Sequence, residues 1–81
     1  MNIRTELFSI IMGLEKTLTP NDIDHLKEYL VHDEFGLVVE HICTQLIEYD
    51  IKISKDLLKK IQNVGTAMKM DKKIWENLLE Q

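Results

Sequence analysis

The sequence predicts an all-α protein, a compact antiparallel bundle of four to five short helices that forms one domain over residues 1–81. Apolar residues recur at intervals of three and four along most of the chain, which is the period of an amphipathic helix. Residues that favour helix N-caps precede these stretches. With only three glycines and one proline, little of the chain suits long loops. Helices joined by short turns pack most simply as antiparallel neighbours.

The first two predicted helices meet at the pair Thr19-Pro20. Threonine followed by proline is typical of an N-cap and a first helical residue, and Asp22 at the third position favours the positive end of the helix dipole. The first helix is therefore predicted over about residues 2–16, and the second from Pro20 to about His32. Their apolar stripes consist of Ile3, Leu7, Ile10, Ile11, Leu14 and Leu18, and of Ile23, Leu26, Leu30 and Val31.

The third predicted helix begins after Asp33, which can serve as its N-cap. It is the most apolar helix, and we expect it to be the most buried. Gly36 in its first turn costs about 1 kcal/mol relative to alanine, which predicts that another backbone approaches closely there. The apolar stripe consists of Phe35, Val38, Val39, Ile42, Leu46 and Tyr49.

The last third of the chain is predicted to contain an extended loop and two further helices. Residues 50–54 alternate like a strand, but nothing else in the chain is predicted to pair with them, which favours an extended loop. Ser54 then caps the fourth helix, within which Gly65 marks either a close helix crossing or an early end. Asp71 caps a short fifth helix over about residues 72–80. Their apolar positions are Leu57, Leu58, Ile61, Val64 and Met68, and Ile74, Trp75, Leu78 and Leu79.

Charge divides the chain into an acidic and a basic part. Residues 1–50 contain ten acids and three bases, a net charge of −7, whereas residues 51–81 contain seven lysines and four acids, a net charge of +3. The turn at Asp33 and Glu34 is expected to concentrate the negative charge at one end of the bundle. Such a field attracts basic partners and repels nucleic acid. The alternative interpretation is a solvated face, with several acids at helix N-termini where they favour the dipole.

The candidate binding residues are acidic, polar and aromatic side chains on the second and third helices and the adjoining turns. Recognition surfaces favour such mixtures. Tyr49 has the alternative interpretation of a core-edge residue with its hydroxyl in water, and His41 is a candidate contact or pH-dependent group. The full set is Asp24, Glu28, Asp33, Glu34, Glu40, His41, Thr44, Glu48, Tyr49 and Asp50.

Patterns typical of several function classes are missing from the sequence. It has no glycine-rich phosphate loop, zinc-ligand spacing or nucleophile elbow, so we expect neither an enzyme nor a protein with a cofactor or metal. A third helix with Glu40 and Glu48 and no Lys or Arg argues against nucleic-acid binding. Cys43 is the only cysteine, which excludes an intramolecular disulfide and predicts a small core residue. Without a membrane-spanning stretch or a secretory signal, a cytoplasmic location is expected.

The stretch from His32 to Leu46, with the later Glu48 and residues 51–54, resembles the MafI-type family of small immunity proteins. The pattern combines an acid, an aromatic residue and a glycine at a helix start with a later Glu, Cys and Gln-Leu, and then an Ile-x-Ile-Ser loop. Similar features near the two ends are Leu18-Thr19-x-x-Asp22-Ile23 and Met68-Lys69-Met70-Asp71 with Trp75.

The resemblance implies an immunity protein that binds and neutralises a cognate secreted bacterial toxin. In this family the toxin is often a ribonuclease of the EndoU type, delivered by contact-dependent growth inhibition or a related system. A basic nuclease domain in a 1:1 complex is the implied partner, because a groove that holds RNA can accept an acidic helical surface as a phosphate mimic. Thr44 stands where the family usually has an acid, and Lys52 where it usually has proline. The first departure leaves any contact at that position open.

Two other function classes fit a small helical domain. One is a non-enzymatic structural or adaptor module that forms an oligomer, which sedimentation of the purified chain distinguishes, because a dimer that buries the third helix removes the proposed surface. The other is a transcriptional regulator, against which the negative charge argues.

Overall fold

The first four predicted helices are present in the computed structural model, which describes all 81 residues. Two of them begin at the predicted caps, Thr19 and Ser54, whose side-chain oxygens accept the backbone N–H groups of Asp22 and Leu57 at 3.1 Å. The chain is mostly helical, as predicted. The helices are α1 (Ile3–Gly13), α2 (Pro20–Val31), α3 (Phe35–Glu48) and α4 (Lys55–Ala67).

Helix α1 lies at the centre of the fold and packs against each of the other three helices. Full burial of a Leu or Ile side chain is worth about 1.5–3 kcal/mol, so the apolar stripe of α1 is a main source of stability. Its buried residues are Leu7, Ile10 and Ile11, continued by Leu14 and Leu18, and those of α3 are Val38, Val39, Ile42, Cys43 and Leu46. None of the helices combines the length and the apolar composition that a membrane crossing requires.

Helices α2 and α3 form an antiparallel hairpin joined by a short turn. Val31 in the last turn of α2 is 72% exposed, so its assignment to the apolar stripe is wrong. The prediction that Asp33 caps α3 is wrong, because Asp33 adopts a left-handed conformation (φ 58°) and Glu34 precedes α3 without a side-chain cap bond. The Asp33 carboxylate instead forms an ion pair with Arg4 of α1. Arg4 also donates from Nη1 to the Leu30 carbonyl at 2.8 Å and lies 5.3 Å from the centroid of the Phe35 ring. This one arginine therefore ties α1 to both helices of the hairpin.

Helices α2, α3 and α4 end in the same way, with a residue in the left-handed region. The N–H group of the following residue then donates to the carbonyl five positions back, which is the Schellman arrangement. Glycine is usual at the left-handed position, because other L residues are strained there. The three bonds, each 2.9 Å long, join Glu34 to Tyr29, Ile51 to Leu46 and Met70 to Gly65. The left-handed residues are Asp33, Asp50 and Lys69, with φ of 58°, 54° and 58°.

Replacing Lys69 by glycine is expected to raise the free energy of unfolding by about 0.5–1 kcal/mol, because it removes the strain of a side chain at a left-handed position. Urea unfolding of the wild type and of Lys69→Gly measures the change. The matched control is Lys59→Gly, at an exposed position inside α4, which should lower the free energy of unfolding by about 1 kcal/mol. Equal destabilisation by both substitutions contradicts the prediction.

The predicted extended loop and the predicted fifth helix are both wrong. Lys52–Ile53 forms a strand, β1, that pairs in parallel with a second strand, β2 (Leu79–Glu80). Gln81 extends the pairing, since its N–H group donates to the Ile53 carbonyl at 2.9 Å. Helix α4 supplies the long crossover that two parallel strands require. Between α4 and β2 only Lys72–Ile74 is helical, as a single 3₁₀ turn.

The segment that follows α4 packs back onto that helix. Trp75 and Leu78 are buried, as predicted, whereas Leu79 lies in β2 with 39% of its surface exposed. The Trp75 ring lies directly against Gly65, because a Cβ atom on that glycine would lie 2.6 and 2.8 Å from two carbons of the ring and closer still to a third. Gly65 therefore marks neither a helix crossing nor an early end, since its close neighbour is the Trp75 side chain, which lies outside any helix, and α4 continues to Ala67.

Gly36 has no such neighbour. The nearest atom to a Cβ placed on Gly36 is the Met70 Cε at 4.0 Å, which is an ordinary side-chain contact. The prediction that another backbone approaches closely at Gly36 is therefore wrong.

Candidate functional site

One carboxylate lies inside the hairpin of α2 and α3. Asp22, in the first turn of α2, is 4% exposed and is the one charged or polar side chain that the fold buries. Its position follows from the N-cap, because the Thr19 hydroxyl both accepts the Asp22 N–H group and donates to the Asp22 Oδ2 atom at 2.9 Å. The cap therefore fixes the carboxylate at the side of α2 that faces α3.

Three side chains of α3 and its C-terminus converge on this carboxylate. Nε2 of His41 lies 3.1 Å from the Asp22 Oδ1 atom, and Nε2 of Gln45 donates to the same oxygen at 2.9 Å. The Tyr49 hydroxyl donates to the Oδ2 atom at 3.4 Å and accepts from Gln45 Nε2 at 3.1 Å. Positions 41, 45 and 49 are four apart and so share one side of the helix. We call this set, with Asp22 and Thr19, the Asp22 network.

Hydrogen bonds keep the Asp22 carboxylate ionised. Burial alone would raise the pKa of Asp22, but donors from Gln45, Thr19 and His41 outweigh it and lower the pKa from 3.8 to about 2. The pKa of Tyr49 is raised by desolvation and then by the Asp22 charge and hydrogen bond. The network therefore holds an ionised carboxylate and a neutral phenol at neutral pH.

Lowering the pH from about 4 to about 2 is expected to remove the stability that Asp22 contributes. The folded-state pKa of about 2 lies below the ordinary 3.8, so the contribution is complete above about pH 4 and is lost as the pH falls through the folded value. One pKa unit corresponds to about 1.4 kcal/mol, so the loss is expected to reach about 2 kcal/mol. Urea unfolding at several pH values in this window measures the loss. A variant Asp22→Asn should lack this component, and an unchanged pH dependence in the variant contradicts the prediction.

Aromatic rings frame His41, whose side chain is 22% exposed. The His25 and Tyr29 rings of α2 meet it edge to face, with centroids 6.0 and 5.9 Å away. His41 is therefore held by α2 on one side and by Asp22 on the other, and it keeps a partly open edge. The predicted contact residue Tyr49 is 45% exposed, so its assignment to the core stripe of α3 is wrong.

Four further candidates are exposed on the same two helices. Glu40, Thr44 and Glu48 are spaced by four along α3, and Glu28 lies three residues after His25 on α2, on the side that meets His41. Exposed apolar side chains of α3, Leu37 and Ile47, accompany them. We call Glu28, Glu40, Thr44, Glu48 and the exposed parts of the Asp22 network the hairpin face.

The remaining candidates are not brought together with the hairpin face. Asp24 lines a shallow depression with Glu15, Pro20, Ile23 and Lys27. Asp33 is paired with Arg4, and Glu34 adjoins it in the turn between the helices, whereas Asp50 lies beyond the far end of α3. The acids are thus spread along the hairpin, and the expectation that they concentrate at one end is wrong.

Sequence reasoning missed the two residues that organise the site, Asp22 and Gln45. Asp22 was expected only to support the cap and the helix dipole. The signal that could have found it is the spacing Thr19-x-x-Asp22, which resembles a capping box and turns the acid inward. Gln45 lies midway between His41 and Tyr49, at helical spacing from both.

Neither a cluster of metal ligands nor a reactive thiol accompanies these residues. No group of three or more His, Cys, Asp and Glu side chains is placed to hold a metal ion. Cys43 is buried in the core, as predicted, and burial raises the pKa of its thiol to about 12. The thiol is therefore protonated and shielded at neutral pH.

The fold and the site together define a class, a small four-helix protein that displays a polar, acid-rich helical hairpin. Comparison with protein-family models, with curated proteins and with solved structures finds no match to the chain. The resemblance to the MafI-type family stays a prediction from the residues quoted for it.

Proposed function

We propose that this protein is an immunity protein that binds a cognate secreted toxin through the hairpin face and neutralises it as a 1:1 complex. One observation carries the proposal. From Pro20 to Asp50 the chain has eight acids and a single lysine, and all of these acids except Asp22 are exposed. The toxin we propose is a basic nuclease domain, with a ribonuclease of the EndoU type as the specific candidate from the family resemblance.

The physical basis is complementarity of charge. A ribonuclease must hold a polyanion, so its substrate groove is basic, and an acidic helical pair can occupy such a groove. Attraction between the two surfaces speeds association, which favours capture of a toxin before it cleaves RNA. Leu37 and Ile47 add apolar contact area among the acids, as in the centre of many protein interfaces.

Exposed apolar residues outside the hairpin face favour a second candidate function, a structural or adaptor module that forms an oligomer. Phe8 of α1 and Val31 at the end of α2 both expose at least half of their surface. Sedimentation velocity of the purified chain separates the two functions. A stable dimer at micromolar concentration supports the module, and a monomer supports the inhibitor.

Co-expression tests the immunity function directly. The product encoded immediately upstream is expressed with the wild type, with a neutralised variant (Glu28→Gln, Glu40→Gln, Glu48→Gln), and with a charge-matched control (Glu15→Gln, Asp56→Asn, Glu76→Gln). All six positions are exposed, and both variants change the net charge by three. We expect the wild type and the control to restore growth and to co-purify with the toxin, and the neutralised variant to do so poorly. The proposal fails if the wild type neither restores growth nor forms a complex.

A further inference from the structure

The Asp22 network has a fixed hydrogen-bond polarity. An ionised carboxylate can only accept hydrogen bonds, so every group that contacts Asp22 must donate. His41 therefore carries its proton on Nε2, Gln45 turns its amide nitrogen inward, and Tyr49 directs its hydroxyl hydrogen to the carboxylate. The buried charge thus sets the direction of all three side chains.

The outward atoms of these side chains are consequently acceptors. The Nε2 tautomer of His41 leaves Nδ1 as an acceptor, and Gln45 leaves its Oε1 atom, because its nitrogen donates to both Asp22 and Tyr49. Neither Nδ1 nor Oε1 has a hydrogen-bond partner within the chain. Neither is buried, since the fold buries no side-chain nitrogen or oxygen without a partner. We call His41 Nδ1, Gln45 Oε1 and Tyr49 Oη the acceptor row.

We infer that the acceptor row binds the guanidinium group of an arginine from the basic partner. This inference rests on the proposed function, because it names the group by which that partner is recognised. A guanidinium has five donors in a planar fork and no acceptor, so it suits two adjacent acceptors. Gln45 and Tyr49 provide neighbouring acceptors, since the amide that carries Gln45 Oε1 donates through its nitrogen to the Tyr49 oxygen at 3.1 Å and leaves that oxygen one further lone pair.

The surroundings select arginine over other groups. A carboxylate or phosphate would meet only acceptor atoms beside the exposed Glu48 and would be repelled. An ammonium is a compact, strongly hydrated charge without a rigid planar fork of donors, whereas a guanidinium has that fork and can also stack on an exposed aromatic ring. The Tyr49 ring is 45% exposed next to the acceptor row. Lysine is therefore the weaker ligand.

Peptide titration followed by NMR tests the inference without the toxin. An eight-residue arginine peptide and an eight-residue lysine peptide have equal charge, so the hairpin acids attract both. We expect the arginine peptide to bind roughly tenfold more tightly and to shift the Gln45 side-chain amide and the backbone signals of residues 41–49. Equal affinities, or shifts confined to other parts of the protein, overturn the inference.

Two variants separate the acceptor row from general acidity, and circular dichroism verifies that each one folds, because each also removes a hydrogen bond to Asp22. Gln45→Met removes one acceptor and Tyr49→Phe removes another, and each should reduce the preference for arginine to less than about threefold. The control Glu28→Gln should weaken both peptides equally, because Glu28 lies outside the row. A retained preference in both acceptor variants contradicts the inference.

Failure of this inference can be told from failure of the proposed function. If the wild type captures the toxin and Gln45→Met and Tyr49→Phe bind it as tightly as the wild type does, the inference is wrong and the immunity function stands. If the upstream product is not bound while the arginine preference holds, the immunity function is wrong and the acceptor row stands.

Discussion

Gly65→Ala is expected to lower the free energy of unfolding by about 2 kcal/mol. The added Cβ would overlap three atoms of the Trp75 ring, which is itself buried. The ring must shift, and with it the segment that carries β2. Overpacking of a filled core costs about 1–3 kcal/mol and sometimes more, which outweighs the gain of about 1 kcal/mol that alanine brings to a helix interior. For a domain of this size the loss is a large part of a total of roughly 4–12 kcal/mol.

Urea unfolding followed by Trp75 fluorescence measures this effect. Gly36→Ala is the matched control, because it is also a glycine inside a helix but has only an ordinary contact 4.0 Å from the new methyl group. The control should leave stability unchanged or raise it by up to about 1 kcal/mol. Equal free energies of unfolding for the two variants would contradict the claim that the packing of Trp75 requires glycine at position 65.

Asp22→Asn is expected to lower the free energy of unfolding by about 2–3 kcal/mol. The change keeps the shape of the side chain but removes its charge and replaces one acceptor oxygen by a donor nitrogen. At least one of His41, Gln45 and Tyr49 then faces a donor, and hydrogen bonds to a charged group are worth about 1.5–3 kcal/mol each. The energies of a network are not additive, which keeps the total well below their sum.

The comparison variant for this measurement is Asp24→Asn. It makes the same chemical change two residues away, at an exposed position, and should alter stability by less than about 0.5 kcal/mol. Thermal or urea unfolding at neutral pH is sufficient. Similar stabilities of the two variants would show that the carboxylate does not organise the hairpin.

The sequence was sufficient to predict four helices because their signals are local. A threonine, a serine or a similar cap lies within a few residues of the helix it begins, and an apolar stripe identifies the buried side of that helix. Thr19 and Ser54 therefore gave correct starts. Asp71 also caps the 3₁₀ turn by accepting the Lys73 N–H group at 3.0 Å, although the helix predicted to follow it does not continue.

The errors in the C-terminal third come from interactions between distant residues. Ile74, Trp75 and Leu78 have helical spacing, which predicts a helix. The path of the segment is instead set by two contacts, that of Trp75 with Gly65 and that of β2 with β1. Each strand is two residues long and the two are separated by α4, so the sequence of neither strand indicates its partner. A two-residue strand carries too little alternation to be distinguished from a loop.

The candidate site was predictable in its exposed part and not in its centre. Acids such as Glu28, Glu40 and Glu48 are exposed where the helical period places them. Asp22 is an acid in a first helical turn, where solvent exposure is the usual expectation, and only the packing of α3 against α2 turns it into a buried acceptor. The direction of the hydrogen bonds, and hence the acceptor row, requires the three-dimensional arrangement of both helices.

The most direct test of the central claim, that the hairpin face binds a basic partner, is the association rate with the upstream toxin domain as a function of salt. Stopped-flow mixing at increasing ionic strength should show the wild-type rate falling by about tenfold or more between low and high salt, because screening weakens attraction between exposed charges. The neutralised variant should associate more slowly at low salt and depend less on salt, and the charge-matched control should follow the wild type. A wild-type rate that does not change with salt, or a control that slows as much as the neutralised variant, contradicts binding through the hairpin face.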